Sequence, residues 1–246
     1  MIHNTETLKT LPLFSELGGE ELAHLAAHSR LRKCPRGQYL FMHGDEIRNF
    51  TIICQGTVQV FRETPDGHEV TSDILIAGDC INADEIIGNR HIHATNARVV
   101  DDAQVLDVPI DWMRSHLKDF DVLAPRLLQS LSERLYSAQR EAEHRSTLSA
   151  TQIAACYLQG LCVLYDFDPA GFSLPYSKTL IASRLRMELA TFSRTLQKLK
   201  EVGITVTGNH VAFTNLTRAE RFVCDDCSVS QDCPTRLSLL KATPVR

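Results

Sequence analysis

Five glycines, Gly37, Gly44, Gly56, Gly67 and Gly78, recur at spacings of seven to twelve residues, and the chain between and after them is written in short alternating runs. The runs are YLFMHG, FTIICQGTVQVFRE, EVTSDILIAGD and ARVVDDAQVLDVP. Alternation puts every second side chain on one face of a strand, and turns at this spacing fold successive strands onto one another. Residues from Arg32 to Pro109 are therefore expected to close into a compact β-barrel or β-roll. Pro65-Asp66-Gly67 predicts a hairpin turn, and Gly44-Asp45 and Gly78-Asp79 predict corners. Ahead of the roll, PLFSELGGEELAHLAAH reads as a turn followed by a short helix with Leu22, Leu25 and Ala26 on one side.

From Asp111 to about Arg145 the period becomes helical, and Leu123, Leu127, Leu128, Leu131, Leu135 and Ala138 form a nearly heptad apolar stripe. A long stripe needs a partner. That partner is either the same helix of a second copy or the β-roll of the same chain. Another helix, about Ser149 to Tyr165, precedes the Phe167-Asp168-Pro169-Ala170-Gly171 loop.

The stretch that follows, to Thr214, reads as helix, turn, helix and hairpin. Ser177 can cap the first helix, with Leu180, Ile181 and Leu185 at helical spacing and Ala182 small enough for a close crossing. In the second helix Leu189, Phe192, Leu196 and Leu199 share one face, and Ala190, Ser193, Arg194, Gln197 and Lys198 occupy the other. Gly203 marks the helix end, and Gly208-Asn209 marks a two-stranded hairpin, or wing. Two amphipathic helices around a short turn also occur in domains that never touch nucleic acid, so charge has to discriminate. From Ser173 to Arg218 there are seven basic side chains (Lys178, Arg184, Arg186, Arg194, Lys198, Lys200, Arg218) against Glu188 and Glu201. The whole chain carries −4, split into −7 over residues 1–145 (15 basic, 22 acidic) and +3 over 146–246 (11 basic, 8 acidic). That asymmetry makes the back half the expected partner of a polyanion. Arg194 can offer two parallel donors to guanine, and Ser193 can reach a neighbouring base or phosphate.

At 246 residues, 43% hydrophobic and 23% charged, the chain is long enough for two globular domains. It has no stretch of signal-peptide or membrane-spanning character, so a cytoplasmic location and no membrane partner are expected. Eight cysteines in a reducing compartment are core residues, reactive thiols or metal ligands before they are disulfides. Cys34, Cys54 and Cys80 lie in or beside strands and read as small buried hydrophobes. Cys224, Cys227 and Cys233 form a C-x2-C-x5-C pattern, whose spacing lets two thiolates reach one metal centre and a loop return a third. Zinc clamping the tail, an iron centre, and no metal all remain open, and a fourth ligand could come from Cys156, Cys162, Glu141 or Glu143. His91 and His93 put two imidazoles on one face of an extended segment, either as a haem site or as solvent-facing loop histidines. A thiol oxidoreductase using Cys224 and Cys227 is the reading from another class, but no thioredoxin-like βαβ unit surrounds that C-x-x-C. There is no Ser/His/Asp array, phosphate loop or catalytic carboxylate pair, and a protein that binds and switches is expected rather than an enzyme.

In this order of elements the chain resembles the CRP/FNR superfamily of dimeric bacterial transcription regulators. The resemblance rests on PRGQYLFMHGDEIRNFTIICQGTVQVF in the roll, Ile181-Ala182 in the first helix of the pair, and Thr191-Phe192-Ser193-Arg194-Thr195-Leu196 in the recognition helix. It implies an α+β fold with a cyclic-nucleotide-binding-like β-roll (1–115), a long dimerisation helix (116–145), a winged helix-turn-helix (146–222) and a cysteine-containing tail (223–246). It also implies a homodimer on a palindromic double-stranded operator, contact with RNA polymerase, and DNA contacts from Ala190, Thr191, Ser193, Arg194, Gln197 and Lys198. Oxygen-sensing members hold a [4Fe-4S] cluster on such cysteines, which implies anaerobic regulation through Cys224, Cys227 and Cys233. Members that sense nitric oxide or carbon monoxide with haem in the roll keep His91 and His93 as the alternative. Three departures matter. His93 and Ala94 stand where cyclic-nucleotide binders carry an Arg-Ser pair for the phosphate, so no cyclic nucleotide is expected. Ala190 replaces a glutamate that reads cytosine, which relaxes one operator position. Arg186 and Glu188 replace the turn glycine and the capping hydroxyl, so a strained turn is expected.

Overall fold

The computed structural model describes residues 2–165, 168 and 171–242, in two compact units, residues 1–135 and 136–246. Of the anticipated loop, Phe167, Pro169 and Ala170 lie outside the described residues.

The first unit opens with α1 (Ile2–Thr10), which the sequence pattern did not announce, and α2 (Gly19–Ala27). Six strands follow: β1 (Arg30–Cys34), β2 (Tyr39–Phe41), β3 (Asn49–Glu63), β4 (Glu69–Leu75), β5 (Cys80–Ile81) and β6 (Asn96–Pro109). They pair antiparallel in the order β1-β6-β3-β4, with β2 also on β6 and β5 also on β3. The expected roll is there, built on two long strands. β3 and β6 lose regular register around Gln55 and Thr57. Between these lies Gly56 at φ +87°, where a Cβ would sit 2.5 Å from the Asp102 carbonyl oxygen. Only glycine fits that approach.

Two apolar clusters fill this unit. Ile53, Val58, Leu75, Val99 and Val105 close the interior of the roll together with Cys34. Phe14, Leu22, Leu25, Phe50, Met113, Phe120 and Leu123 join the leading helices to the roll. Cys80 is buried in that second cluster and Cys54 packs against it, as small hydrophobes do.

The single helix expected from Asp111 to Arg145 is divided. α3 spans Ile110–His116, a 3₁₀ turn spans Leu117–Asp119, and α4 spans Leu123–Thr147. Phe120 breaks the run: it is extended (φ −123°, ψ 95°) and buried in the core, and burial of a large ring outweighs continued helical bonding. Pro125 falls in the first turn of α4, where its missing N–H costs nothing. The apolar stripe divides too. Leu123 and Leu127 belong to the core and Leu131 packs on it, whereas Leu128 and Leu135 are 59% and 61% exposed.

The boundary between the units falls after Leu135, within α4. The second unit holds the rest of α4, then α5 (Ala150–Leu164), β7 (Phe172–Ser173), α6 (Lys178–Arg184), α7 (Leu189–Lys198), β8 (Ile204–Thr207), β9 (His210–Phe213), α8 (Leu216–Cys224) and α9 (Pro234–Ala242). Ser149 caps α5 in a reciprocal box with Gln152. The hairpin is joined by β7 in a three-stranded sheet of order β7-β9-β8. Two residues of strand were too few to announce themselves as alternation. Among the described residues no helix is long and apolar enough to cross a membrane.

Candidate nucleic-acid interface and cysteine centre

Ser177 caps α6 by accepting the Leu180 N–H at 3.2 Å, and Leu180, Ile181 and Ala182 are buried. Four residues separate α6 from α7. Among them Arg186 has φ +56°, and Glu188 at the N-cap of α7 makes no side-chain cap. The first departure is thus realised in the backbone, the second as a missing side-chain cap. In α7 Phe192, Thr195 and Leu196 are buried, while Ala190, Thr191, Ser193, Arg194, Gln197 and Lys198 are all exposed. Leu189, expected on the inner face, is instead 44% exposed. As the first residue of the helix, it precedes the turns that lie against the core. Gly203 ends the following 3₁₀ turn at φ +89°, with Asn215 where a Cβ would go. The Arg194 guanidinium lies back along its own helix, its Nε donating to the Ala190 carbonyl at 3.2 Å. Arg184 is not one of the available cations: it is bound to both Glu141 oxygens at 2.9 and 2.5 Å.

The tail cysteines are not on a loose end. Cys224 is the last residue of α8, and the Cys227 N–H turns back to its carbonyl. Cys233 precedes the helix-opening Pro234 and accepts the Leu237 N–H, which places it at the positive end of α9. Cys224 and Cys233 are buried. α5 runs along this segment. Gln152 donates to the Phe222 carbonyl at 3.0 Å and to Asp226 at 2.7 Å, and Gln159 donates to the Ala219 carbonyl at 2.7 Å. Burial, then the proximity of the Cys233 and Cys227 sulfurs, pushes the Cys156 thiol up to about 12 against the opposing charge of Arg140. Burial and Glu220 push Cys224 up to about 12 as well, with Cys156 and Cys233 adding and Arg236 opposing. Thiols held this high are poor nucleophiles at neutral pH, which speaks against disulfide exchange.

α4 supplies the other wall. His144 Nε2 is 3.3 Å from the Cys227 sulfur, and Arg140 donates to the Cys233 sulfur at 3.6 Å. Burial, and then Arg140, lowers the His144 pKa. Among the described residues no three His, Cys, Asp or Glu side chains converge closely enough to hold a single metal ion. A lone zinc ion needs every thiolate about 2.3 Å from one point. Iron–sulfur clusters are held by cysteine thiolates, and this segment offers three, Cys224 and Cys233 buried and Cys227 partly buried, with Arg140 and His144 beside them.

In the roll, His91 and His93 differ in burial. His93 is buried and stacked on Phe41, with ring centroids 3.5 Å apart, whereas His91 is exposed. Burial, against the pull of Asp45, lowers the His93 pKa to about 4. The neighbouring Ala94 carbonyl accepts from Arg62 at 2.9 Å. Beside them lies a cavity of about 330 Å³ with Asp73, Asp84 and Glu85 in its lining. Its Arg90 is engaged by Glu85 at 2.8 Å and Asp84 at 3.4 Å.

Comparison with known proteins places these observations. A cyclic nucleotide-binding domain model matches residues 31–119. The regulatory protein HlyX of Actinobacillus pleuropneumoniae is 23% identical over 191 residues, covering 76% of this chain and 79% of the relative. The fumarate and nitrate reduction regulatory protein of Escherichia coli (strain K12) is 26% identical over 195 residues, covering 76% of this chain and 75% of the relative. The solved structure of FixK2 from Bradyrhizobium japonicum has the same fold, with a TM-score of 0.69 at 16% identity over 79% of this chain and 96% of that one. The cyclic-nucleotide-binding match in the first unit, together with the FNR and HlyX relatives, supports a regulator of the CRP/FNR superfamily, FNR-like.

Proposed function

We propose that this chain is a sequence-specific transcription regulator of anaerobic metabolism. In this reading it binds a palindromic double-stranded operator as a homodimer and answers to oxygen or redox state through a [4Fe-4S] cluster on Cys224, Cys227 and Cys233. The relatives named as fumarate and nitrate reduction and HlyX regulators support the regulatory role. The exposed face of α7 supports the DNA contact, with Ser193 and Arg194 as base readers, Gln197 and Lys198 near them, and Ala190 and Thr191 at the helix start. His93, stacked on Phe41, and the methyl of Ala94 stand where cyclic-nucleotide binders carry the Arg-Ser pair that holds the phosphate. The single observation that carries the control mechanism is the gathering of the tail thiols against α4 and α5, in the same unit as α6 and α7.

When bound, the cluster supplies a one-electron redox centre. The protein's own part is transmission. Within Arg140–His144, little more than one turn of α4, Arg140 and His144 touch the Cys233 and Cys227 sulfurs while Glu141 grips Arg184 of α6. A displacement of the thiols therefore reaches the helix that leads into α7. Paired recognition helices must meet half-sites about 34 Å apart, so a small reorientation is enough to gate binding.

The test is visible absorption with iron and acid-labile sulfide analysis on protein purified without oxygen, before and after air, with operator binding followed in parallel. A broad visible band that bleaches together with DNA affinity supports the reading. A sharp haem band moves the sensor to the roll, and a colourless zinc protein makes the cysteines a clamp.

A further inference from the structure

Resting on the cluster reading above, we propose that Cys156 of α5 is the fourth thiolate of the centre formed by Cys224, Cys227 and Cys233. The helix face decides it. Residues 152, 156 and 160 follow one another at intervals of four and share one face of α5. Gln152, one turn before Cys156, is bonded to Phe222 and Asp226, on either side of Cys224. Gly160, one turn after it, faces Thr235, two residues past Cys233, with the hydroxyl oxygen 4.0 Å from where a Cβ would stand. Cys156 therefore lies on the face of α5 that looks onto the Cys224–Cys233 segment.

The other candidates are less well placed. Cys162 is six residues on, about a third of a turn around the helix from Cys156, and its charged neighbour is Asp168. Glu141 has both oxygens on Arg184 and a contact to Arg145 at 3.4 Å. Glu143 does reach the tail, accepting from the Ser228 hydroxyl at 3.3 Å, but from an exposed position. His144 touches the sulfur of Cys227 and so acts on a ligand rather than as one. Each of the four thiols gives its proton to solvent as it binds iron. The negative charge that develops in this buried place meets the Arg140 guanidinium already directed at Cys233.

The experiment uses the full chain purified without oxygen as wild type, Cys156→Ser and Cys162→Ser. Iron and sulfide are counted per chain and the ⁵⁷Fe Mössbauer spectrum is recorded. The expected result is about four irons in wild type and Cys162→Ser. Cys156→Ser should lose roughly half its iron or more, or show one altered iron or a three-iron species. A full, unchanged spectrum in Cys156→Ser overturns the assignment, as does cluster loss in Cys162→Ser alone. Wild type without iron and sulfide brings down the parent reading, and this one with it. Should Cys156→Ser fail to fold, alkylation mapping of wild type before and after iron chelation decides the matter. Cys156 protected together with Cys224, Cys227 and Cys233 supports the assignment, and Cys156 indifferent to chelation overturns it.

Discussion

His93 shows how far one buried ring can tie stability to pH. In the folded chain burial holds its pKa near 4, against about 6.5 when unfolded. Below about pH 6.5 the unfolded chain therefore binds a proton that the folded chain refuses. Stability contributed by the neutral ring is complete above that pH and is lost progressively as pH falls toward 4. Wild type is expected to lose about 2 kcal/mol from this source between pH 7 and pH 5, and His93→Gln should flatten that part of the slope in thermal melts. Identical slopes in the two proteins would remove His93 from the account. The spacing of His91 and His93 was legible in the sequence; their separation into exposed and stacked was not. It depends on Phe41, which lies far away in sequence and meets His93 only once the roll has closed.

At the scale of elements, the turn between α6 and α7 is a place where the sequence was fully informative. An arginine where the family carries a turn glycine announced strain, and Arg186 adopts a positive φ of 56°. A non-glycine residue there costs about 1–2 kcal/mol, partly offset by the greater freedom that glycine has when unfolded. Arg186→Gly is expected to stabilise the protein by about 0.5–1 kcal/mol, read as a melting temperature raised by about 1–4 °C. No rise would mean that the side chain has contacts worth the strain. Elsewhere local pattern was overridden. The long helix breaks at Phe120 because a core cavity claims the ring, and α8 and α9 were hidden because the cysteine spacing drew the tail as a ligand loop. The outward face of α7 was readable residue by residue, since a period of 3.6 needs no tertiary information. The wall that α5 and α4 build around the thiols was not, because it joins positions dozens of residues apart.

For the whole molecule, the divided stripe on α4 settles which leucines are available to a second copy. Leu123, Leu127 and Leu131 are taken up by the core of the first unit. Leu128 and Leu135, one heptad apart, remain exposed and are the expected dimer seam. Leu128→Glu with Leu135→Glu should weaken dimerisation at least about tenfold, since each leucine is worth about 1.5–3 kcal/mol when buried. Sedimentation would show monomer, operator affinity would fall, and the far-UV circular dichroism would stay unchanged. A persistent dimer would place the interface elsewhere.

The pairing of Cys156 with the tail has a further consequence. The helix pair and the wing all lie in the stretch 157–223, between the helix that carries Cys156 and Cys224 at the end of α8. One inorganic centre gripping both ends would close that stretch into a ring, and its closure entropy would then be subtracted from the unfolded chain rather than added to the folded one. The DNA-reading unit would in that case be strengthened by its own sensor, and a cell that loses the centre would lose rigidity in the reading head along with the signal.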